Sequence, residues 1–162
     1  HSFYTTLFRS VEGTASGATF IGNTISGATL RGRYISPRYL STEVFASGST
    51  IVTGSGKVML TIPDTMSGYK LETAHLSVGS AGTTNTTAVQ IRNLQKNARK
   101  FFSTVLSIDS AETGSDTAAT PVVITAANAD VGAYDRLMID VPAVSTTAPR
   151  GPMVIILKFY KP

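Results

Sequence analysis

The sequence contains no cysteine and no tryptophan. Without cysteine there is no disulfide framework, no thiolate zinc site and no thiol nucleophile. Histidine is almost as scarce, with His1 at the terminus and His75 inside the chain. One internal imidazole leaves no material for a His-rich metal site or for a Ser-His-Asp triad built from ordinary parts. Charged side chains make up only 15% of the residues. Even so, no run reaches the ~18–20 consecutive apolar residues of a membrane helix, so no membrane insertion is expected. Helical signals are missing as well. No segment places apolar residues at helical intervals behind a capping residue, and the only arguable helical turn falls within residues 95–103.

What is present is short apolar blocks spread among Ser, Thr, Ala and Gly, a texture that suits strands with many exposed Thr side chains. A length of 162 residues fits one domain plus an appendage. The net charge is +4. Basic residues gather at Arg31, Arg33 and Arg38, and again at Arg92, Lys96, Arg99 and Lys100. Nucleic acid is the first partner such clusters suggest. No RNA- or DNA-binding motif accompanies them, so they are read as a solvated face or as contacts with a partner subunit. The chain opens at His1 with no basic-then-apolar leader, and it is expected to be a piece cut from a longer chain.

The stretch ATFIGNTISGATLRGRYISPRYLST repeats every five residues: Phe20, Ile25, Leu30, Ile35 and Leu40 hold the large apolar place, and Gly17, Gly22, Gly27 and Gly32 recur at the same interval. It resembles the pentapeptide-repeat pattern, in which a small residue two places before the centre also points inward. Ala18, Asn23 and Ala28 match that place; Arg33 and Arg38 do not. Five pentads make barely more than one coil of a four-sided solenoid, and a single coil cannot bury its own apolar face. Two readings follow: a coincidence within a Gly-rich surface arm, or an assembly element completed by the same stripe on other subunits around a threefold axis. The second is adopted, with Phe20, Ile25, Leu30, Ile35 and Leu40 as the assembly stripe. Arg31, Arg33, Arg38 and Tyr39 are the candidate partner contacts.

Beyond residue 40 the sequence alternates in the manner of strands. Val58, Leu60 and Ile62 share one face by period two; in YKLETAHLSVG, Leu71 falls with Thr73, His75 and Ser77, opposite Ala74, Leu76 and Val78. AVQIRNL sets Val89, Ile91 and Asn93 against Gln90 and Arg92. FFSTVLSID reads as one strand, followed by PVVITAA and RLMIDVPAV, and PMVIILKFY reads as a central strand covered on both faces. About eight strands at this spacing predict an antiparallel β-sandwich or jelly roll over 41–162, preceded by an extended arm or shaft over 1–40. His75 is read as a sheet residue. The acids Asp109, Glu112 and Asp116, and Asp130, Asp135 and Asp140, lack the spacing of a calcium loop. Asp135 and Asp140 bracket a strand and point to opposite faces, so they do not act together. No catalytic, cofactor-binding or metal-binding residue is predicted.

Within residues 57–160 the motifs IDSAET, TAATPVVI, NADV and RLMIDVPAVSTTAP, closed by an apolar strand, resemble a β-sandwich module of tailed-bacteriophage virion proteins. That resemblance implies a non-enzymatic module on the exterior of a virion, usually trimeric. The expectation is a homotrimeric fibre or tail-tip protein that contacts other virion proteins and a host surface glycan or protein. A capsid decoration protein bound to the major capsid protein, and a carbohydrate-binding module, are the alternatives.

Overall fold

The computed structural model describes residues 37–162. It is all-β, with ten strands: β1 (Arg38–Phe45), β2 (Gly54–Thr61), β3 (Lys70–Ser80), β4 (Thr87–Asn93), β5 (Arg99–Lys100), β6 (Phe102–Thr104), β7 (Leu106–Ile108), β8 (Val123–Ile124), β9 (Arg136–Ala143) and β10 (Arg150–Tyr160). Three single turns of 3-10 helix, at Asp64–Met66, Leu94–Lys96 and Ala126–Asn128, join them. No helix among the described residues is long and apolar enough to cross a membrane.

Every strand pairing is antiparallel. The smaller sheet has the order β1-β10-β3; the larger has the order β2-β9-β4-β5, with β7 also paired to β4; β6 and β8 form a short ribbon. The two larger sheets enclose one core, the arrangement of a β-sandwich. Val44, Leu76, Val78, Met153, Ile155, Leu157 and Phe159 enter it from the smaller sheet, and Val89, Ile91, Leu106, Leu137, Ile139 and Val141 from the larger. Period two explains both sets, because alternate residues of a strand share a face. Ile51, Ile62, Met66, Phe101 and Phe102 from the connections close the ends of the core.

Several local readings of the sequence shift. Leu71 lies on the core face, not with Thr73 and His75 as strict alternation has it. Thr73 pairs with Lys158 and Leu71 with Phe159, so Glu72 is an extra residue in β3, and such a bulge reverses the facing of all that precedes it. The segment around the Phe pair is not one strand. Phe102–Thr104 pairs with β8, whereas Leu106–Ile108 pairs with β4, so the chain changes partner at Val105. β10 is central in its sheet, but its second face is open, with Ile156 39% exposed. Among the described residues the first strand, β1, starts at Arg38 and includes residue 40.

Where β10 meets β3, the backbones approach too closely for side chains. A Cβ on Gly79 would overlap the Gly151 carbonyl oxygen and stand 2.7 Å from Pro152 Cδ. On the far side of β3, residues 113–115 hydrogen-bond to it (Val78 N to Thr113 O, 2.9 Å; Ser115 N to Leu76 O, 2.9 Å) and cover that edge.

Candidate functional site

The outer face of the larger sheet carries a polar cluster centred on Asp140. Two irregularities in the ladders place it there. On one side, Gly54 pairs with Val141 and Val58 with Ile139, so Ser55, Gly56 and Lys57 arch past Asp140 alone. Gly56 takes φ +66° in that arch, a conformation that suits glycine. On the other side, Ala88 pairs with Ala143 and Gln90 with Asp140, which leaves Pro142 in an extra-residue position where its missing N–H removes no ladder bond. Bulges of this kind re-aim side chains.

Asp140 accepts hydrogen bonds from Gly56 N (2.7 Å), Ser55 Oγ (2.8 Å), Arg92 Nε (2.5 Å) and Arg92 Nη2 (3.0 Å). Arg92 Nη2 also donates to Ser55 Oγ at 2.6 Å. Burial works against the charge of Asp140, but the bonds from Arg92, Gly56 and Ser55 outweigh it and hold the carboxyl below the usual carboxylate range. The same hydrogen bond, opposed by burial, raises the Arg92 guanidinium above its ordinary value.

Beside this pair lies an open depression of about 570 Å³, lined in part by Thr53, Ser55, Gln90, Arg92, Lys100 and Val105. Gln90 is structural. Its Nε2 donates to Phe102 O (3.0 Å) and its Oε1 accepts from Phe102 N (3.2 Å) and Ile91 N (3.0 Å), bridging the gap where β4 changes partner from β7 to β5. Lys100 stands directly across the ladder from Arg92. Its ammonium has no ion pair among the described residues.

The second basic cluster is thereby resolved. Arg92 is paired with Asp140, while Lys96 and Arg99 converge on Asp130. Burial opposes ionisation of Asp130, and Lys96 and Arg99 overcome it, so that carboxyl also sits low. Asp135 caps its own turn by accepting from Gly132 N (2.8 Å) and from Asn93 Nδ2 (2.7 Å). Asp109 accepts from Ala119 N at 2.8 Å. His75 lies on the smaller sheet with Nδ1 3.4 Å from Ser115 Oγ. Among the described residues no group of three or more metal-ligating side chains gathers.

Of the residues singled out in the sequence, Phe20, Ile25, Leu30, Arg31, Arg33 and Ile35 lie outside the described residues. Leu40 is half-buried and packs against the sandwich's own core. Arg38 is exposed, and so is Tyr39 at 61%, across the ladder from Lys158 on the smaller sheet. The Asp140 cluster is the feature that sequence reasoning passed over. Its signal was an Arg in β4 and an Asp in β9 on the polar side of two strands whose other sides are apolar, but a single sequence does not give the register that joins them. Comparison of the chain with protein-family models, curated proteins and solved structures finds no match. The class therefore rests on the architecture alone: an all-β protein of antiparallel sheets in the manner of a sandwich.

Proposed function

We propose that the protein is a non-enzymatic module on the exterior of a bacteriophage virion, a trimeric fibre or tail-tip protein whose sandwich contacts the host. One observation carries the binding part of the reading. The outer face of the larger sheet has an open depression whose carboxylate is fully engaged by four donors, while Lys100 in its lining has no ion pair among the described residues. A carboxylate held ionised by that many donors is a poor general base, so the site suits recognition better than turnover. The neutralisation of Arg92, Lys96 and Arg99 by carboxylates supports a partner other than nucleic acid. The virion assignment draws on the motifs from IDSAET to RLMIDVPAVSTTAP. The threefold assembly draws on the apolar stripe Phe20, Ile25, Leu30 and Ile35, which leads into β1.

Light scattering on the whole chain is expected to give a trimer, lost in Leu30→Asp; a monomer at micromolar concentration refutes the assembly. Labelled protein is expected to decorate susceptible bacteria. Binding to isolated capsids but not to cells would instead establish capsid decoration.

A further inference from the structure

We infer that the depression on the larger sheet binds a carboxylate-bearing saccharide, such as a uronic acid residue, with Lys100 and Arg92 as its anion contacts. The inference rests on the host-contact reading only for its biological setting; the geometry stands by itself. Like charges directly opposite one another in an antiparallel ladder repel, yet Arg92 and Lys100 are paired in this way. Asp140 compensates one of them. Its carboxylate is taken up by Arg92, Ser55 and Gly56, which leaves Lys100 unmatched among the described residues and their part of the floor with one net positive charge.

Arg92 and Lys100 both line the cavity. Arg92 uses Nε and Nη2 internally, on Asp140, Ser55 and Met138, and no hydrogen bond to a described residue engages its Nη1. One guanidinium nitrogen beside an ammonium supplies charged donors for a carboxylate. One net charge matches a monoanion better than a phosphate dianion, and the Gly56 N–H that would help cradle a phosphate is already spent on Asp140. The remaining lining fits a hydroxylated ring. Thr53 offers a hydroxyl, while Val105 and Pro142 offer apolar surface for the C–H face of a sugar. A volume of about 570 Å³ is of the size that holds a small ligand. No aromatic side chain among the described residues lines it, so the affinity of one site is weak, on the order of 1 mM, and useful binding comes from several sites acting together.

The test is a titration of the whole chain followed by amide NMR, with sodium glucuronate, glucose and sodium acetate as probes. Glucuronate is expected to shift the amides of Ser55, Arg92 and Lys100. Glucose is expected to leave them in place, and acetate to bind about tenfold more weakly. Lys100→Gln should weaken glucuronate about tenfold or more, as loss of a charge-assisted contact does, whereas Arg150→Gln on the other sheet should change nothing. No shift at 20-fold the expected dissociation constant of ~1 mM overturns the inference. So does an equal response from wild type and Lys100→Gln. Acetate as strong as glucuronate reduces the site to a plain anion site, and glucose as strong makes it a neutral-sugar site; either outcome overturns the proposal. Cells labelled equally by wild type and Lys100→Gln would sink this ligand but leave the host-contact reading standing. Glucuronate binding without any labelling of cells would do the reverse.

Discussion

Replacing Asp140 by alanine removes at one stroke the acceptor for Arg92 Nε and Nη2, Ser55 Oγ and Gly56 N. Hydrogen bonds to a charged group contribute about 1.5–3 kcal/mol each, but the four do not add. The Ser55 hydroxyl can rotate, and the Arg92 side chain, 25% exposed, can reach water. What remains is a Gly56 N–H without its partner and a cation beside Lys100. Breaking a buried ion pair by removing one partner costs about 3–5 kcal/mol. Asp140 itself is 12% exposed, so the low end, about 3 kcal/mol, is expected. For a sandwich of this size that corresponds to a drop in Tm of about 10 °C.

The acid arm of the same experiment fixes the cause. The folded Asp140 carboxyl lies below its unfolded value, which is about 3.9. Its contribution is therefore complete above about pH 4 and is lost as the pH falls through the lower folded value. Wild type and Asp140→Ala, melted by circular dichroism at pH 7 and again near pH 3, should differ widely at the first and less at the second. Asp130 is depressed in both proteins and cancels in the difference. A Tm within 2 °C of wild type at pH 7, or a gap that persists unchanged in acid, would refute the reasoning.

Gly79→Ala places a methyl group against the Gly151 backbone. It should lower stability by about 2–3 kcal/mol, read as an earlier denaturant midpoint at unchanged slope; an unmoved midpoint would show that β10 can yield. Ala98 holds φ +52° without being glycine. Ala98→Gly should therefore stabilise by about 0.5–1 kcal/mol once the added chain entropy is discounted, and a lower Tm would contradict the strain.

The strands that alternate cleanly were legible. Val58 and Leu60, or Leu137, Ile139 and Val141, are apolar on one face because that face is covered, and period two shows it without a structure. What period two cannot show is an inserted residue. Glu72 looks like any other member of its run, yet it turns Leu71 to the core. Nor does local sequence reveal a change of partner: Phe102 belongs to the short ribbon and Leu106 to the larger sheet, because their hydrogen-bonding neighbours are distant in sequence. The site suffers from the same limit. Arg92 and Asp140 are 48 residues apart, and both residues that flank the contact, Pro142 and Gly56, owe their meaning to bulges. The informative question was the register: Asp140 stands across the ladder from Gln90, and Arg92, across from Met138, reaches it diagonally.

The position of β10 has a consequence for how the protein is made. It is the middle strand of its sheet, between β1 and β3, and it is the last of the ten to leave a ribosome. Until residue 160 is available, β1 and β3 have no strand to join and both present open edges. Contacts of such long sequence separation form slowly, and unpaired edges invite pairing with other chains. Any means of keeping nascent copies apart, whether spacing on the messenger or a chaperone, matters most in the interval between the synthesis of β3 and that of β10.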